Sequence, residues 1–246
     1  MKIHFLGTMG WYDSNLGNTL CVLVDTGKEY VIFDAGNGFS KIDNYIKDNR
    51  PVYLFLSHFH LDHIIGLHAL NKFAFKQGIK VFGPKGTLKM FKFVINTPYS
   101  KPIDKLKLKV SVQEIKRSTK LPFDIRFKEL LHTTICYGYR LTSKGKSVTF
   151  CTDTGPCKGI VELAKNTDLL ITECSLPPAT IDRGWSHLNP EQAAEMAKEA
   201  AAKKLALVHF DSGDYPESGD IVSARKIARK IFKNTIAARD GLCLDV

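Results

Sequence analysis

The chain has 246 residues, 44% of them hydrophobic and 24% charged, with a formal net charge of +10. That length suits one domain over residues 1–246 rather than two, and the composition is that of an ordinary globular protein. No stretch approaches the roughly 20 apolar residues that cross a bilayer, which argues against a membrane partner.

The first third reads as strands separated by glycine-rich turns: Ile3–Leu6, Thr19–Val24 and Tyr30–Phe33, the last running into Asp34-Ala35-Gly36. A strand-like run so near the start speaks against a signal peptide. The six cysteines (21, 136, 151, 157, 174 and 243) are scattered without a CxxC pair, which fits reduced thiols in a cytoplasmic protein. Pro51–Leu56 is another apolar strand and ends directly in Ser57-His58. Helical apolar spacing runs from Ile64 to about Phe75, and Val81-Phe82 opens a short strand. Residues 96–128 read as strands and loops. Between Lys72 and Lys128 stand fifteen Lys and Arg against Asp104, Glu114 and Asp124, so this segment carries more than the whole chain's excess charge. Such a local field can attract phosphates, and it is equally consistent with a solvated surface.

The second half alternates more regularly. Ser147–Cys151 and Leu169–Thr172 read as strands around a helix at Gly159–Lys165. Asn189 as N-cap, Pro190 in the first helical position and Gln192 as capping-box partner start a helix that should reach about Lys203. Strand Leu205–Val208 then delivers His209, and Asp220 can cap a last helix in which Ile221, Ala224, Ile227 and Ile231 share a face.

His58-Phe59-His60-Leu61-Asp62-His63 places four potential ligands in six residues just after a strand. Extended residues two apart point the same way, so His58 and His60 can converge on one ion. The turn into a helix lets Asp62 and His63 face a second site. Imidazole and carboxylate together suit zinc, with manganese or iron as alternatives. His132, Asp153 and His209 each lie where an apolar run stops, the place where open sheets present functional side chains. His4 and His68 read as structural, and Cys151 and Cys157, which flank Asp153, as non-ligands.

A leading strand ending in Leu6-Gly7-Thr8, then Phe33-Asp34-Ala35-Gly36, then HxHxDH, then His, Asp and His in this order, resembles the metallo-β-lactamase superfamily over essentially the whole chain. Ile171-Thr172-Glu173-Cys174, His187-Leu188-Asn189-Pro190 and Leu207-Val208-His209-Phe210 look like its ribonuclease Z-like branch, which contains tRNA 3′-end nucleases and smaller phosphodiesterases. The resemblance implies an α/β fold, the αββα sandwich of two mixed β-sheets flanked by helices. It implies that His58, His60 and His132 hold one divalent ion, that Asp62, His63 and His209 hold a second, and that Asp153 bridges them. Asp34 would orient the ligand loop. His187 would face the phosphate as general acid or transition-state stabiliser, and Asp62 would accept a proton besides binding metal. A hydroxide between two ions about 3.5–4 Å apart would attack phosphorus.

The substrate is less determined. In many tRNA-processing members a long arm lies between the positions matching His132 and Asp153; here only twenty residues separate them, mostly needed for two strands joined at 143–146. That favours a small or cyclic phosphodiester, with RNA held by residues 72–128 as the alternative. A thioester or lactone hydrolase would use the same metals, and an iron-dependent oxygenase or a non-catalytic RNA-binding derivative are further rivals. A homodimer stays open. Trp185 either walls the pocket or packs.

Overall fold

The structure, a computed structural model, describes residues 1–181 and 184–246. Among the described residues, fifteen strands run in chain order as β1 (Lys2–Gly7), β2 (Met9–Gly10), β3 (Cys21–Asp25), β4 (Tyr30–Phe33), β5 (Val52–Phe55), β6 (Ile79–Gly83), β7 (Val110–Glu114), β8 (Asp124–Glu129), β9 (Tyr137–Ser143), β10 (Lys146–Cys151), β11 (Leu169–Glu173), β12 (Leu205–Val208), β13 (Phe210–Asp211), β14 (Thr235–Ala237) and β15 (Cys243–Asp245). The α-helices are α1 (Leu61–Ile64), α2 (Thr87–Val94), α3 (Lys158–Leu163), α4 (Pro190–Glu199) and α5 (Ser218–Ile231). One sheet has the order β15-β1-β3-β4-β5-β6-β7, a second the order β14-β12-β11-β10-β9-β8, and β2 pairs with β13. Both large sheets mix parallel and antiparallel neighbours.

Side chains alternate between faces along each strand, and here both faces are covered. Val22, Val24, Val31, Phe33, Tyr53 and Phe55 point into the space between the sheets and meet Tyr139, Val148, Phe150 and Ile171 from the other sheet. The intervening Cys21, Leu23, Ile32 and Leu54 point outward and pack under Phe39, Ile42, Leu67 and Phe91. On the far side, Leu170, Leu205 and Leu207 pack under Ile160 and the alanines of α4 and α5. Strands buried on both faces explain the unbroken apolar runs in the sequence. The four layers are the αββα sandwich expected.

Three local expectations are corrected. The segment from Ile64 to Phe75 continues the single turn of α1 as a 3-10 helix over Ile65–Lys72. The reason is at Gly66, whose N–H donates to Ala35 O at 2.8 Å instead of to its own helix, with its backbone pressed against Gly36. The capping box of Asn189 and Gln192 forms as read, but α4 stops at Glu199 rather than Lys203. Ala201 takes a left-handed conformation there and Ala202 N–H returns to Ala197 O at 3.0 Å, turning the chain toward β12. Asp220 caps α5 from the third helical position rather than as the N-cap residue, its carboxylate accepting from the N–H of the N-cap Glu217 at 3.0 Å.

Among the described residues no helix is long and apolar enough to cross a membrane. Cys21, Cys136, Cys151 and Cys174 are buried, and none of the six cysteines is in a disulfide.

Asp168 ties three strand ends together: it accepts from Ser147 N–H at 2.9 Å and pairs with Lys203 at 2.8 Å and Lys146 at 3.5 Å. Burial opposes its charge, but the Lys203 hydrogen bond and Ser147 amide outweigh burial and lower its pKa to about 2. A folded-state pKa below the ordinary value of roughly 3.9 adds stability above about pH 4 that is lost as pH falls toward 2. Asp168→Asn should therefore cost about 1 kcal/mol at pH 7, a Tm lower by about 2–4 °C, and cost little near pH 2.5. Thermal melts across that pH range check this; an equal loss at both ends would contradict it.

Candidate metal centre

The site lies at one edge of both sheets, where strand ends are bent out of regular geometry. Asp34 follows β4, Asp153 follows β10 and His209 follows β12, and these three non-glycine residues have φ of 58°, 49° and 54°. The left-handed conformation is costly for residues with a Cβ and is held by the packing beneath. It turns each side chain off its strand toward a common centre. Gly10 allows the close approach of the next layer, since a Cβ there would lie 2.5 Å from the His209 ring.

The residues singled out in the sequence converge as two groups. His58, His60, His132 and Asp153 bring one donor atom each within 4.8 Å of one another, and Asp62, His63 and His209 do the same. Asp153 stands between them. Its Oδ1 is 3.1 Å from His63 Nε2 and 3.3 Å from His209 Nε2, while its Oδ2 is 3.7 Å from His58 Nε2 and 4.0 Å from His132 Nε2. Asp62 Oδ2 lies 3.0 Å from His209 Nε2 and 3.3 Å from His63 Nε2.

A hydrogen-bond relay fixes which nitrogen of each ring faces inward. Ser57 Oγ donates to Asp34 Oδ2 at 2.8 Å, so its lone pair accepts from His58 Nδ1 at 3.0 Å. His63 Nδ1 donates to the same Asp34 oxygen at 2.8 Å. Ser175 Oγ donates to His209 O at 2.9 Å and accepts from His209 Nδ1 at 2.7 Å. With the protons committed outward, the Nε2 lone pairs of His58, His63 and His209 point at one another and at carboxylate oxygens. His58 Nε2 is buried without a hydrogen-bond partner, as is His132 Nδ1. Acceptors aimed at acceptors in a buried space are repulsive unless a proton or a cation stands between them. The donor set, imidazole nitrogen with carboxylate oxygen, fits a divalent ion of the zinc type.

The charges follow the same logic. Burial, helped by nearby His63, pushes the His58 pKa well below the ordinary histidine value, and burial lowers His60 and His132 as well. Those three are neutral and ready to donate a lone pair. Burial opposes charge on His63 too, but Asp153, Asp62 and Asp34 outweigh it and raise its pKa well above the ordinary value. Burial likewise resists ionisation of Asp153, yet His209, His63 and His58 hold its carboxyl well below the usual range.

Sequence reading missed several supporting residues. Glu173 is fully buried and accepts from His187 Nδ1 at 2.9 Å, Thr154 N–H at 2.5 Å and Leu188 N–H at 3.2 Å. It presents the opposite ring nitrogen of His187 away from itself, and the His187 ring centroid lies 5.5 Å from His132 and 6.0 Å from His209. Trp11 N–H donates to Asp62 Oδ2 at 2.9 Å. Ser57 and Ser175 act through the relay above. Burial raises the pKa of Cys136 and of Cys151; neither joins the two donor groups, and Cys136 Sγ donates to Thr152 O at 3.3 Å. Cys157 hydrogen-bonds with Thr154 Oγ1, His4 stacks at a tilt on Tyr45, and His68 Nδ1 meets Ile65 O at 2.6 Å on the surface. Trp185 is exposed and stands 6.1 Å from His60 and 6.0 Å from Trp11, ring centre to ring centre, so it lines the pocket mouth.

Residues 22–210 match the sequence model of the family described as "Beta-lactamase superfamily domain". The chain is 26% identical to the "Probable metallo-hydrolase YhfI" of Bacillus subtilis over 96% of each protein. It is also 26% identical to the Ribonuclease Z of Archaeoglobus fulgidus over 100% of this chain and 97% of that one. The crystal structure of Bacillus subtilis YhfI superposes with a TM-score of 0.83 at 24% identity, covering 99% of this chain and 98% of the other. A diphosphatase of the PhnP family superposes at a TM-score of 0.75 with 18% identity, over 100% and 97%.

If the relay sets the inward lone pairs, Asp34→Asn should weaken metal binding although Asp34 is not itself a donor to the centre. An amide NH₂ facing His63 Nδ1–H would flip that ring's tautomer, and losses of about 10–100-fold in affinity are usual for such partners. Competition with a chromogenic chelator measures this. An unchanged affinity would remove the relay from the account.

Proposed function

The chain belongs to the β-lactamase superfamily and is a metal-dependent hydrolase of the metallo-β-lactamase fold, and from that premise we propose that it is a dinuclear phosphodiesterase cleaving a small or cyclic diester. One observation carries the reading: the two oxygens of Asp153 face different histidine groups, Oδ1 toward His63 and His209 and Oδ2 toward His58 and His132. A carboxylate so placed suits a bridge between two ions, with His58, His60 and His132 on one and Asp62, His63 and His209 on the other. Such ions, zinc by donor type with manganese or iron as alternatives, would supply an activated water and offset charge on the phosphoryl oxygens.

The remaining work falls to this chain's own residues. Glu173 accepts the Nδ1 proton of His187, so in the doubly protonated ring the opposite nitrogen carries a second proton that can pass to the leaving oxygen. Asp62, which accepts from Trp11 N–H through Oδ2, would also take a proton from the attacking water. Asp34 and Ser57 keep the ligand rings from turning.

Support for the small diester comes from residues 137–151, where β9 and β10 form a hairpin closed at 144–145 with no room for an arm. Support for the RNA alternative comes from a cleft of about 660 Å³ lined by Lys85, Lys116, Arg117 and Lys128 at the ends of β6, β7 and β8. A small substrate neutralises one or two phosphates and should bind with weak salt dependence. RNA in the cleft would lose affinity with a log–log slope of about −0.7 per contact. Turnover of bis-p-nitrophenyl phosphate, cyclic nucleotides and tRNA precursor at several salt concentrations separates the two. Faster cleavage of RNA with a steep slope would overturn the small-diester reading.

His187→Ala should leave metal content intact and cut turnover of alkyl diesters by roughly 10²–10⁴. The loss should shrink for p-nitrophenolate, which departs without a proton. Loss of metal together with activity would place His187 among the ligands instead.

A further inference from the structure

Asp153 can serve two groups of histidines only while its carboxylate is held at one rotation. The last torsion of an aspartate side chain joins an sp³ to an sp² carbon and has broad wells, so it turns unless a neighbour holds it. The histidines at its two oxygens are themselves candidate ligands and cannot supply that hold alone. Thr152, at the end of β10, supplies it. Its hydroxyl donates to Asp153 Oδ1 at 2.6 Å, within the range of a charge-assisted O–H···O bond. Thr152 is fully buried, its branched side chain has few rotamers, and its own carbonyl accepts from Cys136 Sγ at 3.3 Å. The donor is therefore fixed in place. With Oδ1 tied on the side of His63 and His209, Oδ2 is left facing His58 at 3.7 Å and His132 at 4.0 Å.

The two donor groups depend on this contact unequally. Asp62, His63 and His209 include a carboxylate of their own, and Trp11 N–H holds it through Asp62 Oδ2 at 2.9 Å. His58, His60 and His132 bring three imidazoles, and Asp153 is the carboxylate that completes their group. A buried divalent charge met by neutral imidazoles alone is less well compensated than one that also meets a carboxylate. If the Asp153 carboxylate turned, the Asp62 group would keep an anionic donor and the three-histidine group would lose the one it has.

We infer that Thr152 is a positioning residue for the metal centre: its hydroxyl sets the rotation of the Asp153 carboxylate and thereby delivers Oδ2 to His58, His60 and His132. The three-histidine group owes its hold on an ion to a side chain that is not a ligand. This rests on the dinuclear reading above and adds which ion is the more easily lost, and why.

The test is a zinc titration of the metal-free full-length protein against a chromogenic chelator, which reads the two binding steps separately. Thr152→Val keeps the shape and removes the donor. It should leave the first step close to wild type and weaken the second by about 10–100-fold. Thr152→Ser, which restores the hydroxyl without the methyl group, should restore the second step. The ion that Thr152→Val retains should persist when His60→Ala is added and be lost when His209→Ala is added. Thermal melts of the metal-free variants show whether each is folded, and Thr152→Ala is read in place of Thr152→Val if the latter is not. Two steps as tight as wild type without the hydroxyl would overturn the inference. Equal weakening of both steps would do the same, as would a serine variant that restores nothing. A wild-type protein that saturates at one ion defeats the dinuclear reading itself, whereas two ions in wild type with an unchanged valine variant defeat only the role of Thr152.

Discussion

Everything at the catalytic edge depends on a set of buried lone pairs that face one another. His58, His63 and His209 spend their Nδ1 protons outward on Ser57, Asp34 and Ser175, and so aim bare Nε2 atoms at Asp153 and Asp62. Without a cation this arrangement is repulsive, and the raised pKa of His63 records how strongly the site draws positive charge toward it. A pre-oriented cage of acceptors is stabilised as a unit by a proton or a cation between them, and the same feature suits it to metal-dependent hydrolysis. The protein bears the cost of organising the cage when it folds, before any substrate arrives.

The scaffold meets that cost with rigidity. The sheets are filled on both faces, so the strand ends have little freedom, and the left-handed residues Asp34, Asp153 and His209 are held against a continuous core. The aspartate–serine–histidine relay then sets ring orientation at a finer scale than backbone packing can. Glu173 repeats the device for His187: a buried carboxylate saturated by backbone N–H groups positions one imidazole, at the boundary between the cage and the pocket. From His187 outward the surroundings change from buried imidazoles to exposed indoles and aspartates.

The parts legible in the sequence were those whose signal is local. Four ligand types within six residues announce a metal site, and Asn189-Pro190-x-Gln192 announces a helix start, because the interacting atoms are neighbours in the chain. The layered fold followed from resemblance more than from periodicity, since strands buried on both faces do not alternate. What stayed hidden depends on distant partners. Glu173 lies in an apolar strand and shows its role only when folding brings His187 and Thr154 to it. Ser57, Ser175 and Trp11 are ordinary residue types whose meaning comes from Asp34, His209 and Asp62. The ends of α1 and α4 were misjudged for the same reason: Gly66 donates to Ala35 across a layer, and Ala201 turns left-handed to meet β12. Neither event leaves a trace in propensity.

The central claim is that Asp153 stands between two ions, one oxygen toward each. Anomalous diffraction at the zinc edge from crystals of the zinc-loaded protein tests it directly. The account predicts two strong peaks about 3.5–4 Å apart, one among His58, His60 and His132 and the other among Asp62, His63 and His209, with Asp153 contacting both. A single peak under saturating zinc, or two peaks with Asp153 bound to only one of them, would contradict it.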